Sequence, residues 1–166
     1  MAMDLSRIGA SQRLAAMALV SLAAVTAAIV AQKAFDMQPC PWCILQRLIY
    51  LAIALVCGVG AVWPARGPRF ALVGLALVLA LSGMASAVYQ HVVAAKLGSC
   101  NLTLADKIIT ALGLESLAPA LFQVTANCAD AAVKVLGVPF EYWSLALFAL
   151  LALTAVTTFR WLRTPA

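Results

Sequence analysis

Two cysteines separated by two residues, Cys40 and Cys43, stand at the start of a long apolar run, in the segment Pro-Cys-Pro-Trp-Cys. Pro41 is disfavoured inside a helix but favoured at its first position, which predicts a helix that begins there with Cys40 as its N-cap. A thiolate at a helix start faces unpaired backbone N–H groups and the positive end of the helix dipole, and both stabilise its charge. The pair therefore predicts thiol–disulfide exchange, with a metal clip and a structural staple as the alternatives.

Arg47 follows Cys43 by four residues and Cys40 by seven, so the three side chains share one face of the predicted helix. A positive charge one turn from a cysteine can stabilise its thiolate, or an anionic ligand beside it. The alternative is an arginine that only extends its charge to the membrane–water interface.

Two further cysteines, Cys100 and Cys128, lie in the long segment before the last apolar run, and Cys57 lies inside an apolar run. Four of the five cysteines thus fall in segments predicted below to face an oxidising compartment, which favours disulfides, most simply Cys40 with Cys43 and Cys100 with Cys128. Zinc is disfavoured because Cys100 and Cys128 are separated by 27 residues and form no second Cys-x-x-Cys. We predict no metal, and a small buried apolar role for Cys57.

The elements that must position these cysteines are membrane spans. The 166 residues are 65% hydrophobic and 10% charged, with a mean hydropathy of +1.02, whereas soluble domains are about 25% charged. A helix needs about 20 mostly apolar residues to cross the hydrocarbon core, and four stretches qualify: 14–32, 44–62, 70–91 and 141–159. The predicted fold is an all-α membrane protein, a four-transmembrane-helix bundle that forms one integral membrane domain over residues 1–166.

Basic residues set the predicted orientation. Segments 1–13, 63–69 and 160–166 carry six arginines and one acidic residue, whereas segments 33–43 and 92–140, with the starts of the second and fourth spans, carry equal numbers of basic and acidic residues. The positive-inside rule places the first group in the cytoplasm and the loops 33–43 and 92–140 in the periplasm. The net charge of +5 is then a topology signal and gives no reason to expect a nucleic-acid partner. The first span has an 18-residue apolar core, longer than the roughly 7 to 15 residues of a signal peptide, so we expect it to be retained.

The long outer loop contains more than polar linker. Leu104, Ile108, Ile109 and Leu112 recur at helical spacing, and an apolar run continues beyond Pro119. This pattern predicts one or two short amphipathic helices in the membrane interface. A small extramembrane subdomain that packs on itself is the alternative.

These features together resemble the DsbB (disulfide bond formation protein B) family of quinone-dependent membrane oxidases. The resemblance covers nearly the whole chain, with four spans, a Cys-x-x-Cys that opens the second, Arg47 four residues later, and a second cysteine pair between the third and fourth spans. Smaller matches are Gln32, Tyr89-Gln90-His91, Pro119 and Trp143. The two residues between the first cysteines, here Pro-Trp, vary in the family.

The resemblance implies a protein-dithiol:quinone oxidoreductase of the bacterial inner membrane. A periplasmic DsbA-like dithiol oxidase would attack Cys100, and Cys128 would then attack Cys40. Cys43 would pass the electrons to the membrane quinone pool, as ubiquinone or menaquinone. Arg47 would lie beside the quinone head group, and the further quinone-binding candidates are His91 and Gln32.

Three alternatives remain. A vitamin K epoxide reductase-like quinone enzyme carries its Cys-x-x-Cys late, at the top of its last core helix, whereas here the pair opens the second span. A transmembrane conduit for reducing equivalents would need reactive cysteines that face the cytoplasm, and Cys57 alone lies within a predicted span. A structural membrane protein whose disulfides only brace the long loop is the alternative from a different class.

Overall fold

The structure, a computed structural model, describes residues 9–96, 103–131 and 133–163. In chain order its elements are α1 (Ala10–Ala34), α2 (Pro41–Val62), α3 (Arg66–Val92), a 3-10 turn (Ala94–Lys96), α4 (Leu104–Ala111), α5 (Leu114–Leu117), α6 (Pro119–Phe122), β1 (Lys134–Val135), β2 (Val138–Pro139) and α7 (Phe140–Arg163). The four long helices are long and apolar enough to cross a membrane. The predicted all-α bundle of four spans is confirmed, and each helix extends beyond its predicted apolar stretch because flanking polar residues continue the same helix.

The helix that carries the first cysteine pair begins where the sequence predicts. Cys40 is the N-cap and Pro41 occupies the first helical position, where its missing N–H leaves no unpaired donor. The backbone N–H of Cys43 donates to Cys40 Sγ at 3.4 Å, and that of Ile44 donates to the Cys40 carbonyl at 3.0 Å. This first turn holds the two cysteines side by side.

Helix α2 lies at the centre of the bundle, between α1 and α3, while α3 packs along α7. Gly83 of α3 allows the close approach of α7, because a Cβ at this position would collide with the ring of Phe148. Small residues at such crossings are typical of membrane helices. Phe148 is fully buried and stacks on Tyr50 of α2, with ring centroids 4.1 Å apart. We call the end of the bundle where α2 and α7 begin the cysteine end.

The described part of the segment between α3 and α7 contains three short α-helices, α4, α5 and α6, where one or two were predicted. Ile109 of α4, Leu114 of α5 and Phe122 of α6 form a small buried cluster with Ile44 of α2. The short helices therefore pack on the bundle beside the first cysteine pair, and not only on one another.

A small hairpin in this segment was not predicted. Strands β1 and β2 pair antiparallel across a two-residue turn formed by Leu136 and Gly137. Both turn residues have positive φ, 54° and 80°, the conformation of tight hairpin turns that match the twist of their strands. Two-residue strands carry no periodic pattern, and leucine is uncommon at positive φ, so Gly137 is the one turn signal in this segment and is too weak alone to predict a hairpin. The hairpin leads directly into α7 at Phe140.

Candidate active site at the cysteine end

Cys40 and Cys43 are free thiols with their sulfur atoms 2.8 Å apart. Cys40 is fully buried, whereas Cys43 is half-buried and lines a cavity. The hydrogen bond with Cys43, together with burial, raises the pKa of the Cys40 thiol. For Cys40 this reverses the expectation that a helix start favours the thiolate, because the neighbouring sulfur and the loss of water outweigh the backbone N–H groups. The two cysteines are unequal, and Cys43 is the one that combines a hydrogen-bond donor on its sulfur with access to open space.

Arg47 is buried, with 5% of its surface exposed. Its Nη1 donates to Gln32 Oε1 at 2.9 Å and to the Leu121 carbonyl at 3.1 Å, and its Nη2 donates to the Ala28 carbonyl at 3.3 Å. This geometry does not fit an arginine that only reaches out to the membrane surface. All three acceptors are neutral oxygens, so the positive charge remains available to an anion in the cavity that Arg47 lines.

The cavity at the cysteine end has a volume of about 180 Å³. Its apolar wall includes Ala24, Ala28 and Leu147, and its polar wall includes Cys43 and Arg47. A mainly apolar space with a few convergent polar groups is typical of small-molecule sites. The arrangement can hold a flat apolar ligand against a thiol and a fixed positive charge.

A buried chain of hydrogen bonds connects Cys43 to the bundle core. The amide Nε2 of Gln90 donates to Cys43 Sγ at 3.3 Å, and Gln90 Oε1 accepts from Gln46 Nε2 at 2.7 Å. The Ser144 hydroxyl donates to Gln46 Oε1 at 2.5 Å, and the Tyr50 hydroxyl donates to the Ser144 carbonyl at 3.1 Å. We call Gln90, Gln46, Ser144 and Tyr50 the amide–hydroxyl chain.

The two further quinone-binding candidates from the sequence are Gln32 and His91. They are not lining residues of the cavity, but each contacts a residue that is. Gln32 accepts a hydrogen bond from Arg47. His91 Nδ1 lies 2.9 Å from Oε1 of Glu141, which is 3% exposed, and the His91 ring packs against Tyr142. Oε2 of Glu141 is buried with no hydrogen-bond partner in the described part of the chain. The two candidates therefore bear on the cavity through Arg47 and Glu141.

The segment that carries the second cysteine pair lies against the first. Cys128 is buried and disulfide-bonded, while Cys100 lies outside the described residues. The backbone N–H groups of Thr125 and Ala126 donate to the Pro39 carbonyl at 3.1 and 3.2 Å. These two hydrogen bonds anchor the backbone of residues 125 and 126, shortly before Cys128, to Pro39, which directly precedes Cys40. Among residues 9–96, 103–131 and 133–163, no group of three or more His, Cys, Asp or Glu side chains is placed to hold a metal ion.

Five polar residues at this site are not among the candidate site residues predicted from the sequence, namely Gln46, Tyr50, Gln90, Glu141 and Ser144. A signal was present, because Gln46 and Gln90 are amides at the ends of apolar spans, and polar residues inside membrane helices are costly and usually functional. Which of them meet depends on how α2, α3 and α7 pack, and spacing along one helix does not contain this information.

Comparison with known proteins identifies the family. A family model described as "Disulfide bond formation protein DsbB" matches residues 11–158. "Disulfide bond formation protein B 1" of Pseudomonas syringae pv. syringae is 36% identical over 136 residues, which cover 81% of this chain and 80% of the relative. "Disulfide bond formation protein B 2" of Burkholderia lata is 36% identical over 141 residues, 84% of this chain and 82% of the relative. "Disulfide bond formation protein B 1" of Pseudomonas putida is 30% identical over 149 residues, 89% of each chain. Because the matches extend over most of both sequences, the chain belongs to the DsbB family of disulfide bond formation proteins.

Proposed function

We propose that this chain is a protein-dithiol:quinone oxidoreductase, which reoxidises a soluble DsbA-like dithiol oxidase and passes the electrons to membrane quinone. Family membership gives the coarser function, a membrane thiol–disulfide oxidoreductase that takes part in disulfide bond formation. The observation that carries the finer proposal is that Cys43 and the buried Arg47 line the same mainly apolar cavity. A thiol beside a fixed cation, at a space open to an apolar ring, suits electron transfer to a lipid-soluble acceptor.

The cavity is of the size that holds one six-membered ring. Its volume of about 180 Å³ compares with roughly 150 Å³ for an engineered protein cavity that binds benzene. Arg47 would donate to a quinone oxygen, and Ala24, Ala28 and Leu147 would contact the faces of the ring. Ubiquinone and menaquinone share this chemistry, and either, when bound, supplies an acceptor of two electrons and two protons.

The second cysteine pair would receive electrons from the partner. A thiolate of the reduced partner attacks Cys100, which forms a mixed disulfide and releases Cys128 as a thiolate. Cys128 then attacks Cys40 of the oxidised first pair, and Cys43 leaves as the thiolate that faces the cavity. Support for this transfer between loops comes from the two backbone hydrogen bonds that anchor residues 125 and 126 to Pro39.

The cycle closes when the partner's second thiol displaces Cys100 and completes the partner's disulfide. Cys100 then attacks Cys128, which restores their disulfide and releases Cys40 as a thiolate. Cys40 and Cys43 are oxidised to their disulfide, and the two electrons released would pass from Cys43 to quinone. Two electrons and two thiol protons leave the partner, so the net reaction converts dithiol and quinone to disulfide and quinol.

Redox potentials favour a quinone over a thiol acceptor. A DsbA-like dithiol has a potential of about −120 mV, whereas the cytosolic glutathione pool lies at about −220 to −260 mV. Each 30 mV of adverse potential costs about 1.4 kcal/mol for two electrons. Transfer to glutathione would therefore be uphill by several kcal/mol, whereas quinone is available within the bilayer.

The proposed setting is the bacterial inner membrane, with both termini and residues 63–69 in the cytoplasm. The excess of arginine in these segments supports this orientation. It would place the cysteine end at the periplasmic face, where a soluble DsbA-like partner can reach the second cysteine pair.

Two alternatives explain fewer of the observations. A structural protein braced by disulfides gives no reason for Cys43 and the buried Arg47 to line the same cavity. A vitamin K epoxide reductase-like enzyme would carry its Cys-x-x-Cys at the top of its last core helix, whereas here the pair opens α2.

Cysteine variants test the proposal directly. Purified protein is supplied with a short-chain quinone and a reduced thioredoxin-like dithiol oxidase, and quinone reduction is followed by absorbance. Cys40→Ser and Cys43→Ser should each abolish turnover, whereas Cys57→Ala, a matched substitution of a buried cysteine on the same helix, should retain it. Turnover that persists in Cys40→Ser or Cys43→Ser would contradict the proposal.

A further inference from the structure

The amide–hydroxyl chain is an unusual feature of an apolar bundle. Gln46, Tyr50, Gln90 and Ser144 are all at least nine-tenths buried, and they come from three different helices, α2, α3 and α7. Polar side chains inside membrane helices are costly, and they mark functional sites more often than structural ones. The amide–hydroxyl chain ends at the sulfur of Cys43, which is a reacting atom in the proposed function.

The donors in the chain all point the same way. The Tyr50 hydroxyl lies 3.1 Å from both the carbonyl oxygen and the hydroxyl oxygen of Ser144. The Ser144 hydroxyl donates its one proton to Gln46 Oε1, so Tyr50 is the donor in its contact with Ser144 Oγ. The Gln46 amide donates to Gln90, which leaves the Gln90 Nε2 group as the donor to Cys43 Sγ. Turning one amide alone would set two N–H groups or two oxygens against each other, so each amide fixes the orientation of the other.

Hydrogen bonds that run in one direction polarise one another, and the effect is larger where water is excluded. The terminal donor, Gln90 Nε2, therefore offers its N–H to a sulfur that becomes negatively charged when the first pair is reduced. Hydrogen bonds to a charged acceptor are stronger than those to a neutral one. Arg47 supplies charge beside the same cavity, but three of its five guanidinium N–H donors contact oxygens of Gln32, Leu121 and Ala28, and Gln90 is the side chain whose N–H contacts the Cys43 sulfur.

We propose that Gln90 is a catalytic residue that stabilises the Cys43 thiolate by direct hydrogen bonding, and that Gln46, Ser144 and Tyr50 are positioning residues that hold its amide. This inference rests on the role of Cys43 in the proposed function. It gives the four buried residues of the amide–hydroxyl chain a part in the chemistry, beyond holding α2, α3 and α7 together.

The alternative is that the hydrogen bonds only connect the helices, as polar side chains in membrane bundles often do. In that case their loss lowers stability but leaves the reactivity of Cys43 unchanged. The two roles are therefore separated by a measurement of thiolate formation at Cys43.

The test uses the full-length protein, reduced and free of quinone, with Cys57→Ala, Cys100→Ser and Cys128→Ser so that only Cys40 and Cys43 carry thiols. Alkylation by iodoacetamide is measured as a function of pH, and peptide mass mapping assigns the label to each cysteine. Because the thiolate is the reactive form, the midpoint of the Cys43 rate profile reports how well the site stabilises it.

Gln90→Met should move the midpoint for Cys43 to higher pH by about one unit and lower its alkylation rate at neutral pH about tenfold, as expected for the loss of one hydrogen bond to a charged group. Ser144→Ala and Tyr50→Phe act through the chain and should shift the midpoint in the same direction, with about a twofold loss of rate. The matched control is Ser86→Ala. Ser86 is a buried serine of α3, the helix that carries Gln90, and its hydroxyl donates to the Gly83 carbonyl at 2.7 Å. This variant should leave the Cys43 profile unchanged.

A folded Gln90→Met protein whose Cys43 profile superimposes on that of the parent would overturn the proposal. If Gln90→Met does not fold, Ser144→Ala and Tyr50→Phe decide the question, and unchanged profiles in both would overturn it equally. The assay contains neither quinone nor partner, so its result is independent of the quinone assay. If the parent protein does not reduce quinone but Gln90→Met still shifts the Cys43 midpoint, quinone is refuted as the electron acceptor. The role of Gln90 at Cys43 is then retained.

Discussion

Replacing Arg47 by methionine should weaken quinone binding while leaving the interaction with the dithiol partner unchanged. The guanidinium is held by three neutral oxygens, from Gln32, Leu121 and Ala28, and lines the cavity together with Cys43. A hydrogen bond from a charged donor is worth about 1.5 to 3 kcal/mol. At about 1.4 kcal/mol per factor of ten, its loss should raise the apparent KM for quinone roughly 10- to 150-fold.

The assay varies a short-chain quinone at saturating reduced partner, and then varies the partner at saturating quinone. Arg47→Lys keeps the charge but not the planar fork of donors, so its KM for quinone should lie between those of the parent and Arg47→Met. Arg69→Met is the matched control, because Arg69 donates to the Gly60 and Trp63 carbonyls at the opposite end of the bundle. A KM for quinone within twofold of the parent in a folded Arg47→Met protein would show that Arg47 only braces the helices.

Three further predictions concern packing, pH and transfer between the loops. Gly83→Ala should lower the Tm, with a cost of about 1 to 3 kcal/mol for overpacking against Phe148, whereas Gly58→Ala, with nothing within 4 Å of the added Cβ, should not. In the reduced protein the pKa of Cys40 lies above its ordinary value of 9.0, so the folded state favours the protonated thiol. The stability that this preference contributes is present below that pH and is lost as the pH rises. The Tm should therefore fall above about pH 9, and Cys40→Ser should remove the fall. Thr125→Val deletes the hydrogen bond from the Thr125 hydroxyl to Gln38 Oε1 and should prolong the mixed disulfide with the partner about fivefold, with an unchanged KM for quinone. An unaltered lifetime would exclude a role for this side-chain hydrogen bond in the transfer.

The features that the sequence predicts well are those decided within one helix. Four apolar stretches predict four spans because length and the absence of charge are sufficient. Pro41 predicts the start of α2, and the spacing of Cys40, Cys43 and Arg47 predicts that they share a face. The structure confirms the four-helix fold and the helix start, and it places Cys43 and Arg47 at one cavity.

The features that the sequence does not predict depend on contacts between helices. Gln46 and Gln90 meet only because α2 and α3 pack in a particular register, and spacing along either helix contains no such information. The pairing of His91 with Glu141 likewise depends on where the hairpin allows α7 to begin. The burial of Arg47 follows from the packing of α1 and α6 around it, and from the sequence alone an interfacial position fits equally well.

We propose that the electrons of the partner's dithiol reach quinone through Cys43. The most direct test is the stoichiometry of the reaction without oxygen, with quinol measured by absorbance and partner disulfide measured by mass in the same sample. We expect one quinol for each partner disulfide formed, and no catalytic formation of either product in Cys43→Ser. Partner disulfide that accumulates without an equal amount of quinol would contradict it.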